Sequence, residues 1–400
     1  MKKKKLCIIT GTRAEWGLFS SLAREIKRDK KDLTLQIIAA GTHLSEEHGF
    51  TGNEIIDDGF EIDREVKTFI PNDTEESTGE SINLGIKGFM DGLRKLRPDL
   101  ILLLGDRFET FAAAQAAVLL KIPIAHIHGG ELTEGAIDDA FRHSITKMAN
   151  LHFTSTETYR KRVIQMGEAP ERVFNTGALG IDSIKNTALL DRKALEEELK
   201  FELGNMNFLV TFHPVTLEER EASERQIKNL LEVIDRHKDA KVIFTGSNCD
   251  MYSKTIKGLI DLYVSKNKSR AAYSVSLGQK KYFSALQFVD LVAGNSSSGI
   301  IEASSFGIPT VNIGDRQKGR IRPASVVDAD GSFESIDAAF KKALSDDFRK
   351  SCRKVKNPYG DGRAAEKIVE AIKNANDITI KKRFHDVKFE IFEERCKSSS

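Results

Sequence analysis

The sequence predicts an α/β protein of two Rossmann-like doubly wound units, each a parallel sheet covered on both faces, facing one another across a cleft. Three observations carry this. Short, continuously apolar runs such as Leu100-Ile101-Leu102-Leu103-Leu104 read as strands buried on both faces. Amphipathic stretches alternate with these runs at a spacing that requires crossover helices. The alternation pauses at the charged segment Lys185–Lys200 and then restarts, so the 400 residues divide into two units of similar size.

In order, strand Leu6–Thr10 ends in Gly11-Thr12-Arg13 and leads into a helical pattern over Trp16–Lys27. Strand Leu33–Ala40 ends in Gly41-Thr42-His43. A helical stretch near Glu46–Asp58 and a short strand near Glu65–Ile70 follow, then the polar segment Pro71–Ser77 and a long amphipathic helix over Gly79–Leu96. Strand Asp99–Leu104 runs into Gly105-Asp106-Arg107-Phe108-Glu109 and an Ala-rich helix to Lys121. Strand Ile122–Ile127 ends in His128-Gly129-Gly130-Glu131. Helix Asp138–Ala149, strand Leu151–Ser155, helix Glu157–Met166 and strand Val173–Thr176 complete a first unit expected over residues 1–184. The second, over 185–376, runs through strand Phe208–Phe212, helix Leu217–His237, strand Ala240–Thr245, helix Met251–Ser265, strand Ala271–Val275 and helix Lys280–Phe288. It continues with the buried run Leu291–Ala293, a helix from Ile300 to Phe306 and strand Thr310–Ile313. The charged tail, 377–400, either packs back across the hinge or stays loose.

Lys and Arg number 61 against 59 Asp and Glu, a net charge of +2 that argues against a general nucleic-acid binder. The Lys-rich start is followed by only Leu6–Ile9 before polar residues return, too short for a signal-peptide core. No segment has the length to span a bilayer. Cys7, Cys249, Cys352 and Cys396 are scattered without a CxxC pair and read as reduced thiols. A cytoplasmic location is therefore expected. The apolar faces of Gly79–Leu96 and Phe108–Lys121 suit pairing of subunits as a homodimer or homotetramer.

The chemistry concentrates at strand carboxyl ends, where ligands bind in such sheets. In Gly294-Asn295-Ser296-Ser297-Ser298-Gly299, small polar residues stand where a helix begins, leaving N–H groups, hydroxyls and the positive end of a helix dipole for an anion. Glu302 lies on that helix, and the next strand delivers Arg316 to the same edge. Together they suggest a nucleotide-diphosphate handle. The first unit's strand ends bring Arg13, His43, Asp106, Arg107, His128 and Glu131; the second adds His213 and Asn248. No cofactor is implied. Gly11-Thr12-Arg13-Ala14-Glu15-Trp16-Gly17 lacks the G-x-G-x-x-G dinucleotide spacing. His126 and His128 have no third metal ligand at a recognisable spacing, so no metal is expected. Carboxylates, histidines and arginines suit acid–base chemistry on a substrate that carries its own leaving phosphate.

These blocks resemble a known family. GTRAEWG (11–17), GTHL (41–44), GDRFE (105–109), HIHGGELTEGAIDDAFRHSITKM (126–148), FHPVT (212–216), GSNCD (246–250), GNSSSGIIE (294–302), NIGDRQKGR (312–320) and NPYGDGRAAEKI (357–368) are similar to those of the hydrolysing UDP-N-acetylglucosamine 2-epimerases of bacterial sialic acid biosynthesis. That family lies within the GT-B-like nucleotide-sugar superfamily. The resemblance implies elimination of UDP from UDP-N-acetylglucosamine to a glycal, and then hydration with inversion at C2 to N-acetylmannosamine. It implies acid–base roles for Asp106, Glu131 and Asp138, and His213 beside the diphosphate. Arg13, Arg107, Ser296, Ser297, Glu302 and Arg316 fall on nucleotide-binding positions, with His43 and Asn248 as weaker carry-overs. Non-hydrolysing relatives, and some hydrolysing ones, carry a glutamate where this chain has His128, so the resemblance shifts the carboxylate load to Glu131 or Asp138, or His128 itself transfers a proton. The same resemblance admits a UDP- or GDP-linked 2,4-diacetamido-2,4,6-trideoxyhexose of the legionaminic acid pathway as substrate. The shared architecture also admits a GT-B glycosyltransferase.

Overall fold

A computed structural model describes residues 3–70, 74–134, 136–214, 220–246, 253–375 and 378–388. Its first sheet contains β1 (Lys4–Thr10), β2 (Leu33–Ala40), β3 (Arg64–Val66), β4 (Leu100–Leu104), β5 (Ile124–Ile127), β6 (Leu151–Thr154) and β7 (Val173–Asn175). The second contains β8 (Met206–Thr211), β9 (Ala240–Thr245), β10 (Ala271–Ser274), β11 (Leu291–Gly294), β12 (Thr310–Ile313) and β13 (Val326–Ala329). Both sheets are wholly parallel, in the orders β3-β2-β1-β4-β5-β6-β7 and β10-β9-β8-β11-β12-β13.

Strand order reverses between β1 and β4 in the first sheet and between β8 and β11 in the second. At such a switch point the two loops leave toward opposite faces and open a crevice at the strands' carboxyl ends. The loops there are Gly11–Arg13 and Gly105–Arg107 in one unit, and Phe212–His213 and Asn295–Ser298 in the other. Topology alone therefore brings most of the sequence-predicted polar residues to two crevices.

Local chemistry explains why the helices begin where they do. Thr12 caps helix Arg13–Arg28, its hydroxyl accepting from Glu15 N–H while Glu15 reaches back to the cap. A Thr74–Ser77 box starts helix Glu75–Leu96 one turn ahead of the Gly79 expected from periodicity. The Ala-rich helix Phe108–Leu119 then packs so close that a Cβ at Gly85 would lie 2.9 Å from Ala112 Cβ.

Several expectations change. The helix expected over Glu46–Asp58 shrinks to Asn53–Asp57, because Gly49 and Phe50 turn with positive φ and Phe50 N–H bonds back to Ser45. The opening helix of the second unit is two pieces, Leu179–Asn186 and Arg192–Leu199, the latter capped by Asp191. Strand β13 joins the edge of the second sheet, where Val326-Val327-Asp328-Ala329 is too short and mixed to stand out in sequence. Helix Ala364–Asn374, expected in the second unit, buries Ala365, Ile368, Val369 and Ile372 in the first unit's core beside Phe19 and Leu22. The chain beyond it also returns to the first sheet. Lys382 bonds both oxygens of Glu168, and Asn150 donates to Thr379 C=O at 2.9 Å.

Cys7 and Cys352 are buried free thiols, while Cys249 and Cys396 lie outside the described residues. No helix among the described residues is long and apolar enough to cross a membrane.

Candidate active site

The first unit's edge is built from charge pairs that are largely out of water. Asp106, just past β4, pairs with Arg142 from helix Asp138–Met148. The Arg142 side chain is 2% exposed and also donates to Glu131 C=O, Thr133 Oγ1 and Asp139 Oδ1 at 3.1, 2.9 and 2.9 Å. Arg107 donates through Nε to Glu109 at 3.2 Å, and the other Glu109 oxygen has no hydrogen-bond partner among the described residues.

After β5 the chain turns through His128, whose φ of +66° is unusual for a residue with a side chain, and Gly130 at +76°. A Cβ on Gly130 would lie 2.6 Å from Tyr159 C=O, so this turn admits only glycine. It aims Glu131 inward, where Ser155 donates to Oε1 at 2.6 Å and Arg320, from the second unit, pairs with Oε2. His128 Nδ1 lies 3.7 Å from Oε1. Burial pushes the Glu131 carboxyl up, but Arg320, His128 and the hydrogen bonds from Ser155 and Arg320 outweigh it and hold it below its usual value. His128 is pushed down, chiefly by burial, and its Nε2 has no hydrogen-bond partner among the described residues. Its neutral ring therefore has one nitrogen left for a ligand.

The second unit's edge is set by Asn295. Its side chain accepts from His213 N–H at 2.6 Å and donates to His213 C=O at 2.7 Å, clamping the ends of β8 and β11 together. Gly294, at φ +128°, sits directly against the Thr211 carbonyl, which leaves no room for a Cβ. Ser296 caps the short helix Ser297–Ile301. Arg316 and Gln317 both donate to Asn295 C=O, at 3.3 and 3.0 Å. His213 is pushed well below its usual value by burial, with the charges of Arg316 and Arg107 adding to it. Glu302 lies against Gly180, and burial raises it to about 7.

Among the remaining sequence-predicted residues, Arg13 pairs with Glu54 at 2.5 Å and abuts the Gly278 turn of the second unit. Asp138 opens its helix half-buried at the rim. Its neighbour Asp139 accepts from Thr133 N–H at 2.7 Å and from Arg142. His43 does not join the group: it is buried, with ring nitrogens 3.0 Å from the Thr10 and Thr51 hydroxyls. His126 is likewise engaged, with Thr146 Oγ1 at 3.1 Å and Gly105 O at 2.8 Å. Asn248 lies outside the described residues.

Sequence reasoning missed Arg142, Arg320 and Ser155, the partners of the acids. Arg142 stands three residues after Asp139 on one helix, a signal that was legible. Ser155 and Arg320 had none, because a sequence does not say which carboxylate a distant side chain meets.

Carboxylates with fixed cations on one edge, and hydroxyls, an imidazole and arginine on the other, are the groups that acid–base chemistry on a substrate with an anionic leaving group calls for. The chain belongs to the UDP-N-acetylglucosamine 2-epimerase family, whose pattern matches residues 24–373. It is 42% identical over 389 residues to the GDP/UDP-N,N'-diacetylbacillosamine 2-epimerase (hydrolyzing) of Campylobacter jejuni, covering 97% of this chain and 100% of that one. Identity is 37% to polysialic acid biosynthesis protein P7 of Escherichia coli, with 93% and 94% covered. It is 33% to the UDP-N,N'-diacetylbacillosamine 2-epimerase (hydrolyzing) of Legionella pneumophila, with 92% and 96% covered. The fold matches the crystal structure of the Neisseria meningitidis UDP-GlcNAc 2-epimerase bound to UDP-GlcNAc, with a TM-score of 0.79 at 20% identity over 92% of this chain and 99% of that one. The architecture is thus GT-B-like.

Proposed function

We propose that this chain is a hydrolysing 2-epimerase that releases the nucleoside diphosphate from a nucleotide-linked 2,4-diacetamido-2,4,6-trideoxyhexose and yields the free 2-epimeric sugar. The observation that carries the reaction is the pairing of an acid–base edge (Asp106, Glu131) with a facing anion handle (Ser296, Ser297, Arg316), joined across the units by Glu131 and Arg320. For the sugar, support comes from the 42% and 33% identical relatives, both named for the diacetamido substrate and both matched almost end to end. UDP-N-acetylglucosamine, the substrate first expected and the one in the family's name, is the second reading.

In this reading a carboxylate of the first edge removes the C2 proton. The C–H electrons form the C1=C2 bond as the C1–O bond breaks, and the diphosphate leaves with that electron pair. Arg316, the Ser296 and Ser297 hydroxyls and the free N–H groups of the helix start stabilise the charge that develops. Glu302, half-neutral at about 7, accepts from or donates to ribose hydroxyls. His213 donates a neutral N–H to the departing oxygen. Water then adds to the glycal, with a proton delivered to C2 on the opposite face. In this reading Asp106, Asp138 or His128 relays it.

Incubation in D2O with each sugar nucleotide, followed by NMR, tests this. Free nucleoside diphosphate and the 2-epimer carrying deuterium at C2 are expected from the diacetamido substrate, with kcat/KM at least about tenfold above that for UDP-N-acetylglucosamine. Equal or better turnover of UDP-N-acetylglucosamine would select the second reading. A product still bearing its nucleotide would overturn the hydrolytic step.

A further inference from the structure

The loop after β12 is fastened at both ends. At its start, Arg316 and Gln317 hold Asn295 C=O in the anion handle. At its far end it crosses to the first unit. Lys318 C=O accepts from Glu134 N–H at 3.3 Å, and Gly319 rests on Leu132. Arg320 pairs with Glu131, and Ile321 N–H donates to Tyr159 OH at 2.9 Å while Ile321 C=O accepts from Tyr359 OH at 2.9 Å. Both members of the Arg320–Glu131 pair are under a tenth exposed. A buried ion pair contributes little net stability and is costly to break, so one that joins two units at a candidate site invites a functional explanation.

We propose that Arg320 is a positioning residue that carries a positive charge across the boundary between the units to hold Glu131 as the carboxylate that accepts the C2 proton. This rests on the elimination reading above. Glu302 offers a comparison close by: Arg320 also acts on it, but the described residues show no ion pair between them, and burial raises it to about 7, whereas Glu131, in direct contact with Arg320, lies below its usual value. The other groups facing Glu131 do not replace Arg320. His128 on its own loop adds to the hold on Glu131 only when protonated, and burial pushes its own pKa down; Ser155 past β6 is uncharged. Arg142 meets only the Glu131 carbonyl, Arg162 donates to Gly130 C=O, and Tyr159 and Tyr359 are pushed up and stay neutral. Because Arg320 and Arg316 share one loop, the base is held in its accepting form when the diphosphate handle is closed on the first unit.

The test is the pH dependence of kcat for Arg320→Gln and Arg320→Lys beside the parent enzyme. A base held ionised is active above its pKa, so loss of the cation moves the acid limb to higher pH. Arg320→Gln should lose about tenfold at pH 6 and much less at pH 8, with KM changed less than about threefold. Arg320→Lys should restore much of the limb. A uniform loss at every pH, with the limb unmoved, would reduce Arg320 to a structural contact. If the glutamine variant does not fold, infrared carboxyl bands of the parent enzyme and Glu131→Gln at pH 6 decide. A protonated-acid band that vanishes in the variant overturns the proposal, and its absence supports it. If the parent enzyme releases no nucleoside diphosphate at all, the elimination reading fails, while the infrared comparison still judges the Arg320 contact.

Discussion

At the carboxyl edge of the first sheet, Asp106, Glu109, Glu131 and Asp139 each meet a guanidinium, and two of the cations, Arg142 and Arg320, are almost completely buried. At the same edge of the second sheet the described residues include Asn295, the serine hydroxyls and a buried His213, and Arg316 donates to the Asn295 carbonyl. The two sheets share a topology, and their switch points fall at equivalent loops, yet one edge ties carboxylates to guanidinium groups while the other, in the proposed reading, receives the substrate's anion. Proton transfer needs carboxylates whose ionisation is set in advance. Anion binding needs N–H and O–H donors that converge on one point, such as those at a helix start.

Four measurements sharpen or break this division. Asp106→Asn removes a charge from the first edge, and kcat should fall about 10²–10⁴-fold while UDP affinity by calorimetry stays within about threefold. Loss of UDP binding with catalysis retained would reverse the assignment of the two edges. Arg316→Ala acts on the other edge. UDP binding should weaken about 10–100-fold, the worth of one charge-assisted hydrogen bond, with a smaller change in kcat at saturation. Asn295→Ala strips partners from both His213 backbone groups and should cost roughly 1–3 kcal/mol per group in thermal or denaturant unfolding; an unchanged midpoint would deny the clamp. The smallest effect is a titration. An anion beside His213 opposes the burial and cationic neighbours that depress it, so its pKa should rise on UDP binding, read by NMR of labelled histidine. An unmoved titration would place the diphosphate elsewhere.

Much of this could be read in the chain because strand ends are marked by composition. Continuous apolar runs stopping at Gly11, Gly105 and Gly294 located the loops, and parallel topology did the rest. The Asn295–His213 clamp was not legible, since both are ordinary polar residues in sequence and only pairing of β8 with β11 makes them neighbours. Nor was the pairing of Asp139 with Arg142, because adjacent helix-start acids differ only in the direction of their side chains. His43 looked like a ligand-facing strand-end residue. Two threonines, one of them in a turn that replaced a predicted helix, took its nitrogens instead.

The placement of helix Ala364–Asn374 bears on how the chain can fold as it is made. Its apolar face completes the core around Phe19 and Leu22, but it emerges only after every strand of the second sheet has been synthesised. The first sheet must wait for it with that surface uncovered, which reverses the usual order in which amino-terminal domains finish first. Stop codons placed before Ala364 should therefore yield chains in which the complete first sheet, rather than the truncated end, is the aggregating part.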